Sequence, residues 1–165
     1  VYNMNKEIKL QVAGFLDNSL VNGKGMRCVV FVSGCSHNCK NCQNKTMQDY
    51  SYGDNVTVYD VLERIKSNIP IITGVTFSGG EPFDQAEALS ELAAEVKKLG
   101  LNVWSYTGYT YEEILKSGDK NKLKLLHSID TLVDGPFIEE LKEGAPKYMG
   151  STNQRIVKVK DILHF

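Results

Sequence analysis

Hydrophobic positions along this chain follow two periods: short apolar runs typical of buried strands, and longer segments with the spacing of an amphipathic helix. The short runs predict strands at residues 8–15, 28–33, 71–77, 101–106, 129–133 and 155–160. The longer segments predict helices that begin near Thr57, Asp84 and Thr110, and another helix over residues 123–127. Each of these three residues is followed three positions later by an acidic residue, which is the pattern of a helix capping box.

The alternation of strands and helices predicts βαβ units and a mostly parallel sheet. Right-handed crossovers would curl such a series toward a barrel. A full eight-unit barrel needs ~250 residues, whereas this chain has 165. We therefore expect an α/β fold, an incomplete (βα) barrel with a mostly parallel sheet. No linker interrupts the pattern, so residues 1–165 are predicted to form a single domain.

Composition excludes some classes of protein. Hydrophobic residues make up 42% of the chain and the net charge is −1, so the chain lacks the basic footprint of a nucleic-acid-binding protein. The longest apolar run, residues 28–32, is far too short to span a membrane. The first residues contain no apolar stretch typical of a signal peptide. We therefore expect a cytoplasmic protein with no nucleic-acid or membrane partner.

Three of the four cysteines stand close together, at Cys35, Cys39 and Cys42, on the loop that follows an early strand. In a reducing compartment such a cluster holds a metal or performs chemistry more often than it forms disulfides. Thiolates suit both zinc and iron–sulfur clusters. A [4Fe–4S] cluster normally takes four cysteines, so three would leave one iron open to a substrate. The alternative is a zinc site completed by Cys28 or His37.

A glycine turn follows the next predicted strand, with the sequence Ser78-Gly79-Gly80-Glu81-Pro82. Paired glycines let the backbone approach a ligand closely. Ligands of open parallel sheets bind at the carboxyl ends of the strands. An ordinary tight turn explains the same residues equally well.

The cysteine spacing and the glycine turn, in this order, resemble the radical S-adenosylmethionine (SAM) superfamily. The resemblance implies a [4Fe–4S] cluster on Cys35, Cys39 and Cys42, whose open iron binds SAM. It further implies that Gly79 and Gly80 contact SAM through their backbone groups. It also places Asn41, Cys42 and Gln43 near the adenine. Ser105 and Thr107, at the tip of the strand predicted over residues 101–106, are candidates for polar contacts with SAM, and the ordinary polarity of a strand end explains them at least as well. Asn41 stands where many members carry an aromatic residue.

Further segments narrow the resemblance. They are residues 22–27 (NGKGMR), 104–109 (WSYTGY), 133–137 (VDGPF) and 150–156 (GSTNQRI). Together they look like the family of enzymes that activate anaerobic (class III) ribonucleoside-triphosphate reductases. The resemblance implies an oxidoreductase that cleaves SAM reductively and generates a glycyl radical on the large reductase subunit. It also implies a one-electron donor such as flavodoxin or ferredoxin.

Two other functions fit parts of the pattern. Another small radical SAM enzyme, such as a deazapurine-forming synthase, would share the cysteine loop and the glycine turn but act on a small molecule. A non-catalytic zinc or iron–sulfur module would hold its metal without cleaving SAM, and would depend on Cys28. The role of Cys28 therefore separates this last function from the first two, and our prediction is that Cys28 is a small buried apolar residue.

Overall fold

The computed structural model describes residues 8–35, 49 and 51–159. The strands are β1 (Lys9–Ser19), β2 (Arg27–Val32), β3 (Asp54–Thr57), β4 (Gly74–Gly79), β5 (Asn102–Tyr106), β6 (Thr131–Asp134) and β7 (Arg155–Lys158). The helices are α1 (Val58–Lys66), α2 (Ala86–Lys98), α3 (Tyr111–Lys116) and α4 (Lys120–Ser128). Two short 3-10 segments cover Pro82–Gln85 and Glu139–Leu141. No helix in the described ranges has the length and apolarity that a membrane span requires.

The described strands form one seven-stranded sheet in the order β3-β1-β2-β4-β5-β6-β7. Its centre, β2-β4-β5-β6, is parallel, which confirms the predicted α/β class with a mostly parallel sheet. The flanking strands β1, β3 and β7 pair in antiparallel fashion. Strand β3 is not among the predicted strands, because it is short and its first two residues, Asp54 and Asn55, are polar and exposed.

The main hydrophobic core joins one face of the sheet to the helices. Alternate side chains of a strand point to the same face, and those at the even positions 28, 30 and 32 of β2 belong to this core. Helix α2 contributes Leu89, Leu92 and Val96, all fully buried. Burying side chains of this size stabilises the fold by ~1.5–3 kcal/mol each.

Two of the three predicted capping boxes are present. Thr57 caps α1 with Asp60, and Thr110 caps α3 with Glu113, each through reciprocal hydrogen bonds. The predicted box at Asp84 is wrong, since α2 begins at Ala86 without a side-chain cap. Pro82, at the start of the intervening 3-10 segment, suits its first turn, and that segment displaces the helix start. The Asp84 carboxylate instead accepts a hydrogen bond of 2.7 Å from the hydroxyl of Tyr109.

The opposite face of the sheet is built around Arg27, which is fully buried. Its guanidinium donates to the hydroxyl of Thr76 at 2.7 Å and to the carbonyls of Val75, at 2.9 Å, and Lys24, at 2.8 Å. The guanidinium carbon lies 5.5 Å from the ring centre of Trp104. Burial lowers the pKa of Arg27 to about 10, so it remains charged at neutral pH. This residue ties the β1–β2 loop to the parallel strands.

Candidate active site

A cleft of about 680 Å³ opens at the carboxyl ends of the parallel strands, where the sequence pattern predicted ligand binding. The loops after β2, β4, β5 and β6 all contribute to it. Its lining includes Asn22, Phe31, Cys35, Ser78, Gly79, Gly80, Glu81, Tyr106, Thr107, Gly108, Gly135, Phe137, Tyr148 and Gln154. Ligand pockets in proteins commonly hold ~300–1,000 Å³ and combine apolar walls with a few polar groups. The cleft therefore has the size and character of a cofactor or substrate site.

Cys35 lies three residues beyond the end of β2 and lines this cleft, with its side chain part-buried. It is the one cluster cysteine that can be placed. Cys39 and Cys42, together with His37, Asn41 and Gln43, lie outside the described residues.

Cys28 lies at the opposite end of β2 from Cys35. The four steps from Cys28 to Val32 alone cover ~13 Å of strand, whereas two sulfurs on one zinc lie within ~4.6 Å of each other. The Cys28 thiol is fully buried in the core and donates to the carbonyl of Asp17 at 3.2 Å. The prediction that Cys28 is a small buried apolar residue is confirmed, and this geometry opposes a zinc site shared by Cys28 and Cys35.

The buried thiol of Cys28 should resist alkylation. Burial, with a smaller effect from the charge of Asp17, raises the pKa of Cys28 to about 11. The thiolate is the reactive form of cysteine, and at pH 8 only about one thousandth of the Cys28 thiol is ionised. We expect iodoacetamide to label Cys35 in the folded apo-protein and to reach Cys28 only in guanidinium, as read by peptide mass spectrometry. Equal labelling rates for the two in the folded chain would contradict this.

The glycine turn is hydrogen-bonded directly to the start of the cysteine loop. The N–H of Gly80 donates to the carbonyl of Val32, and the N–H of Glu81 donates to the carbonyl of Gly34, both at 2.7 Å. Gly34 immediately precedes Cys35, so the turn and the first cysteine form one wall of the cleft. Gly79 has a positive φ of 104°, and a Cβ built on it would stand 2.5 Å from the backbone N and O atoms of Val32. Its lack of a side chain is thus required by the neighbouring strand.

Glu81 connects the glycine turn to the end of β5, a role that sequence reasoning missed. Its side chain is fully buried, and in the described part of the chain its carboxylate accepts hydrogen bonds from three groups. They come from the Thr107 hydroxyl at 2.8 Å, from the Gly108 N–H at 2.7 Å and from the Phe83 N–H at 2.9 Å. A charged residue followed by proline at a strand end gives only a weak signal, since it also fits an exposed turn.

Replacing Glu81 with glutamine should lower the free energy of unfolding by ~2–3 kcal/mol. The amide group of glutamine would present N–H donors to groups that are themselves donors, and unsatisfied buried groups cost ~1–3 kcal/mol each. Urea unfolding of the apo-protein measures the change. Glu140→Gln, at an exposed position, is the control and should leave stability unchanged. Equal unfolding curves for the two variants would contradict the role assigned to Glu81.

The structure separates Ser105 from Thr107. Tyr106 lines the cleft, so the preceding residue, Ser105, points to the other face of the sheet, where it is fully buried. Ser105 is not among the described residues that line the cleft. Thr107 does line it, but its hydroxyl donates to Glu81 and accepts from the Tyr109 N–H at 3.1 Å. The hydroxyl of Thr107 is therefore engaged within the protein, and its N–H donates to the carbonyl of Val133 at 3.0 Å.

The 150–156 segment builds the far wall of the cleft. Gln154 spans it, donating to the carbonyl of Gly135 at 3.0 Å and accepting from the N–H of Gly150 at 2.7 Å. Arg155 forms a two-point ion pair with the buried carboxylate of Asp134. The same carboxylate accepts from the Tyr111 N–H at 2.7 Å, so Asp134 holds the first turn of α3 and the start of β7 together.

Comparison with known families defines the class of this protein. The family described as "4Fe-4S single cluster domain" matches residues 21–157, which include the three clustered cysteines, the glycine turn and all four parallel strands. The class is thus that of proteins built on a single [4Fe–4S] cluster domain.

Similar proteins narrow the class to one family. The anaerobic ribonucleoside-triphosphate reductase-activating protein of Haemophilus influenzae is 34% identical, over 88% of this chain and 96% of that protein. The protein of the same name from Vibrio cholerae is 37% identical, over 83% of this chain and 90% of that protein. The chain belongs to the family of anaerobic ribonucleoside-triphosphate reductase-activating proteins.

A solved structure shares the fold. QueE from Escherichia coli superposes with a TM-score of 0.55 at 17% sequence identity, over 65% of this chain and 55% of that chain. At this level of identity the likeness concerns the arrangement of strands and helices alone.

Proposed function

We propose that this protein activates an anaerobic ribonucleoside-triphosphate reductase by cleaving SAM reductively and placing a radical on a glycine of the large reductase subunit. The observation that carries the proposal is that Cys35 and the glycine turn line one cleft, joined through the hydrogen bond from Glu81 to Gly34. Membership of the activating-protein family supports the same function.

The residues of the cleft suit a cluster and SAM. Cys35 offers a thiolate sulfur, the donor that iron–sulfur clusters take, and we propose Cys39 and Cys42 as the other two ligands. When bound, a reduced [4Fe–4S] cluster with an open iron supplies the electron that breaks a sulfur–carbon bond of SAM. Gly79 and Gly80 would hold SAM through their backbone groups. The aromatic rings of Phe31, Phe137 and Tyr148 line the cleft and suit the adenine.

We propose Asn41 and Gln43 beside the adenine, by analogy with the superfamily. Thr107 lines the cleft and would contribute through its backbone carbonyl, whereas the buried position of Ser105 favours a packing role.

We further propose that the sheet curves as an incomplete barrel around the cleft. Helix α2 connects the neighbouring parallel strands β4 and β5, and helices α3 and α4 connect β5 to β6; such βαβ crossovers are as a rule right-handed. The cleft face of the sheet carries Arg27, Trp104 and the aromatic lining. One sheet holds every described strand, which supports a single domain over residues 1–165.

The proposed reaction requires two protein partners. One is the reductase, whose glycine-bearing segment must reach the cleft. The other is a one-electron donor, for which flavodoxin or ferredoxin is our proposal. An open iron is readily oxidised, so the chemistry we propose belongs in a reducing cytoplasm without oxygen.

The test is anaerobic reconstitution with iron and sulfide, followed by chemical reduction and addition of SAM. We expect 5′-deoxyadenosine by mass spectrometry, and an electron paramagnetic resonance (EPR) signal of a glycyl radical when the large reductase subunit is added. Cleavage of SAM without a radical on the reductase would favour a small-molecule substrate. A protein that holds one zinc per chain and forms no 5′-deoxyadenosine would overturn the proposal.

A further inference from the structure

A group of hydrogen bonds closes the base of the cysteine loop. We name Gln11, Ser33, Tyr52 and Gln85 the loop clamp. Ser33 is the first residue after β2, on the entry side of the loop, and Tyr52 lies on its exit side, just before β3. The Ser33 hydroxyl donates to the carbonyl of Tyr52, and the Gln11 side chain donates to the same carbonyl at 2.9 Å. Entry and exit of the loop are therefore joined at one point.

Gln85 completes this clamp from the other side. Its amide oxygen accepts from the Gln11 N–H at 2.9 Å. Its amide nitrogen donates to the Gln11 carbonyl at 3.0 Å and to the Ser33 carbonyl at 2.8 Å. The Gln11 carbonyl also accepts from the Ser33 N–H at 3.0 Å, so the amide of Gln85 reinforces the contact between β1 and the residue that follows β2. Buried backbone groups need such partners.

The exit side of the loop is pressed against β1. Gly53 has a positive φ of 84°, and a Cβ built on it would collide with the backbone of Val12 and Ala13. The Asn55 side chain donates to the Gln11 amide oxygen at 3.2 Å. The clamp is thus fixed by backbone contact as well as by side-chain hydrogen bonds.

The clamp also reaches the glycine turn. Gln85 ends the 3-10 segment that follows the turn, and Glu81 at the turn donates to Gly34. The segment from Glu81 to Gln85 is therefore attached to two successive residues, Gly34 and Ser33, at the entry of the cysteine loop. These attachments set the distance between the elements that we propose hold the cluster and SAM.

We propose that Gln85 is a positioning residue that holds the cysteine loop in register with the glycine turn through its hydrogen bonds to the backbone of Gln11 and Ser33. The inference rests on the proposed function, and it names a residue that holds the two parts of the proposed site in place. Gln85 itself does not line the cleft, in the part of the chain that the structure describes. It acts through the loop and the turn.

Gln85→Glu tests this role with little change of shape. A carboxylate keeps the bond from the Gln11 N–H but cannot donate to the two carbonyls. The matched control is Glu87→Gln, an exposed position on the first turn of α2. Both proteins are reconstituted anaerobically, and iron release to a chelator is followed with time. Removing residues that orient metal ligands typically weakens metal binding ~10–100-fold, so we expect faster release by that factor in Gln85→Glu and none in Glu87→Gln.

A second readout separates positioning from general stability. We expect Gln85→Glu to weaken SAM binding ~10-fold and to reduce the SAM-induced change in the EPR spectrum of the reduced cluster, in a variant that is less stable in urea because two carbonyls lose a donor but is still folded under the conditions of the assay. If Gln85→Glu released iron and bound SAM as the wild type does, this inference would be overturned but the proposed function would not. Losses of iron and of SAM binding that are no larger than the drop in apo-protein stability explains would also overturn this inference. Should Gln85→Glu not fold, Gln85→Met, which removes all three hydrogen bonds of the side chain without adding a charge, serves as the second variant, with the same expected and contrary results. A wild type that takes up no cluster would overturn the proposed function and this inference together.

Discussion

Replacing Cys35 with alanine should abolish both cluster binding and the formation of 5′-deoxyadenosine. Cys35 lines the cleft next to the glycine turn, and two remaining cysteines cannot hold the three irons that we propose. Iron and sulfide content after reconstitution, the visible absorbance of the cluster and the product assay measure the effect. We expect product at the level of a blank without enzyme.

Cys28→Ala is the matched control for this experiment. It removes a cysteine of β2, the strand that leads to Cys35, and this cysteine is buried in the core at the end of the strand opposite the cleft. We expect this variant to keep its cluster and its SAM cleavage, with a loss of stability of ~1 kcal/mol from the missing sulfur. Loss of cluster iron from a folded Cys28→Ala protein, or a full cluster in Cys35→Ala, would refute the ligand assignment.

Replacing Gly79 with alanine should destabilise the protein by ~3–5 kcal/mol and remove SAM binding. The methyl group would meet the backbone of Val32 and Phe31 at 2.5–3.0 Å, where no flexible side chain can move aside. The backbone strain at positive φ costs ~1–3 kcal/mol, and forcing extra volume into packed structure costs ~1–3 kcal/mol more. Urea unfolding and SAM binding of the reconstituted protein measure the two effects.

Comparison with Gly100→Ala isolates the steric part of the destabilisation expected for Gly79→Ala. Gly100 follows α2 with a positive φ of 80°, and a Cβ there meets nothing within 4 Å. Its substitution should cost only the conformational strain, ~1–2 kcal/mol. If Gly79→Ala were no less stable than Gly100→Ala, contact of Gly79 with β2 would not be what requires a glycine in the turn.

Local patterns predicted much of the fold. The apolar run of β2 and the capping boxes at Thr57 and Thr110 depend on neighbours in sequence, and the structure contains all three. The burial of Cys28 followed from its place inside a strand pattern. The cleft was also predictable in outline, because parallel strands bring their carboxyl ends to one edge.

Features that depend on distant partners could not be predicted in this way. Strand β3 has exposed polar residues and owes its form to pairing with β1. The carboxylate of Glu81 is buried because Thr107 and Gly108 meet it from another strand. Asp84 matched a capping pattern, but its actual partner is Tyr109. A sequence pattern records spacing along the chain, whereas these contacts are set by the packing of the sheet.

The bond between Ser33 and the Tyr52 carbonyl bears on how this protein can evolve. Because the two ends of the intervening segment meet at a fixed point, an insertion within it leaves the sheet on either side in place. The entropic cost of closing a loop grows slowly with its length, by only ~0.6 kcal/mol for each doubling. Natural variation can therefore lengthen or shorten that segment, and so reshape what surrounds the cysteines, without a matching change in the strands that carry it.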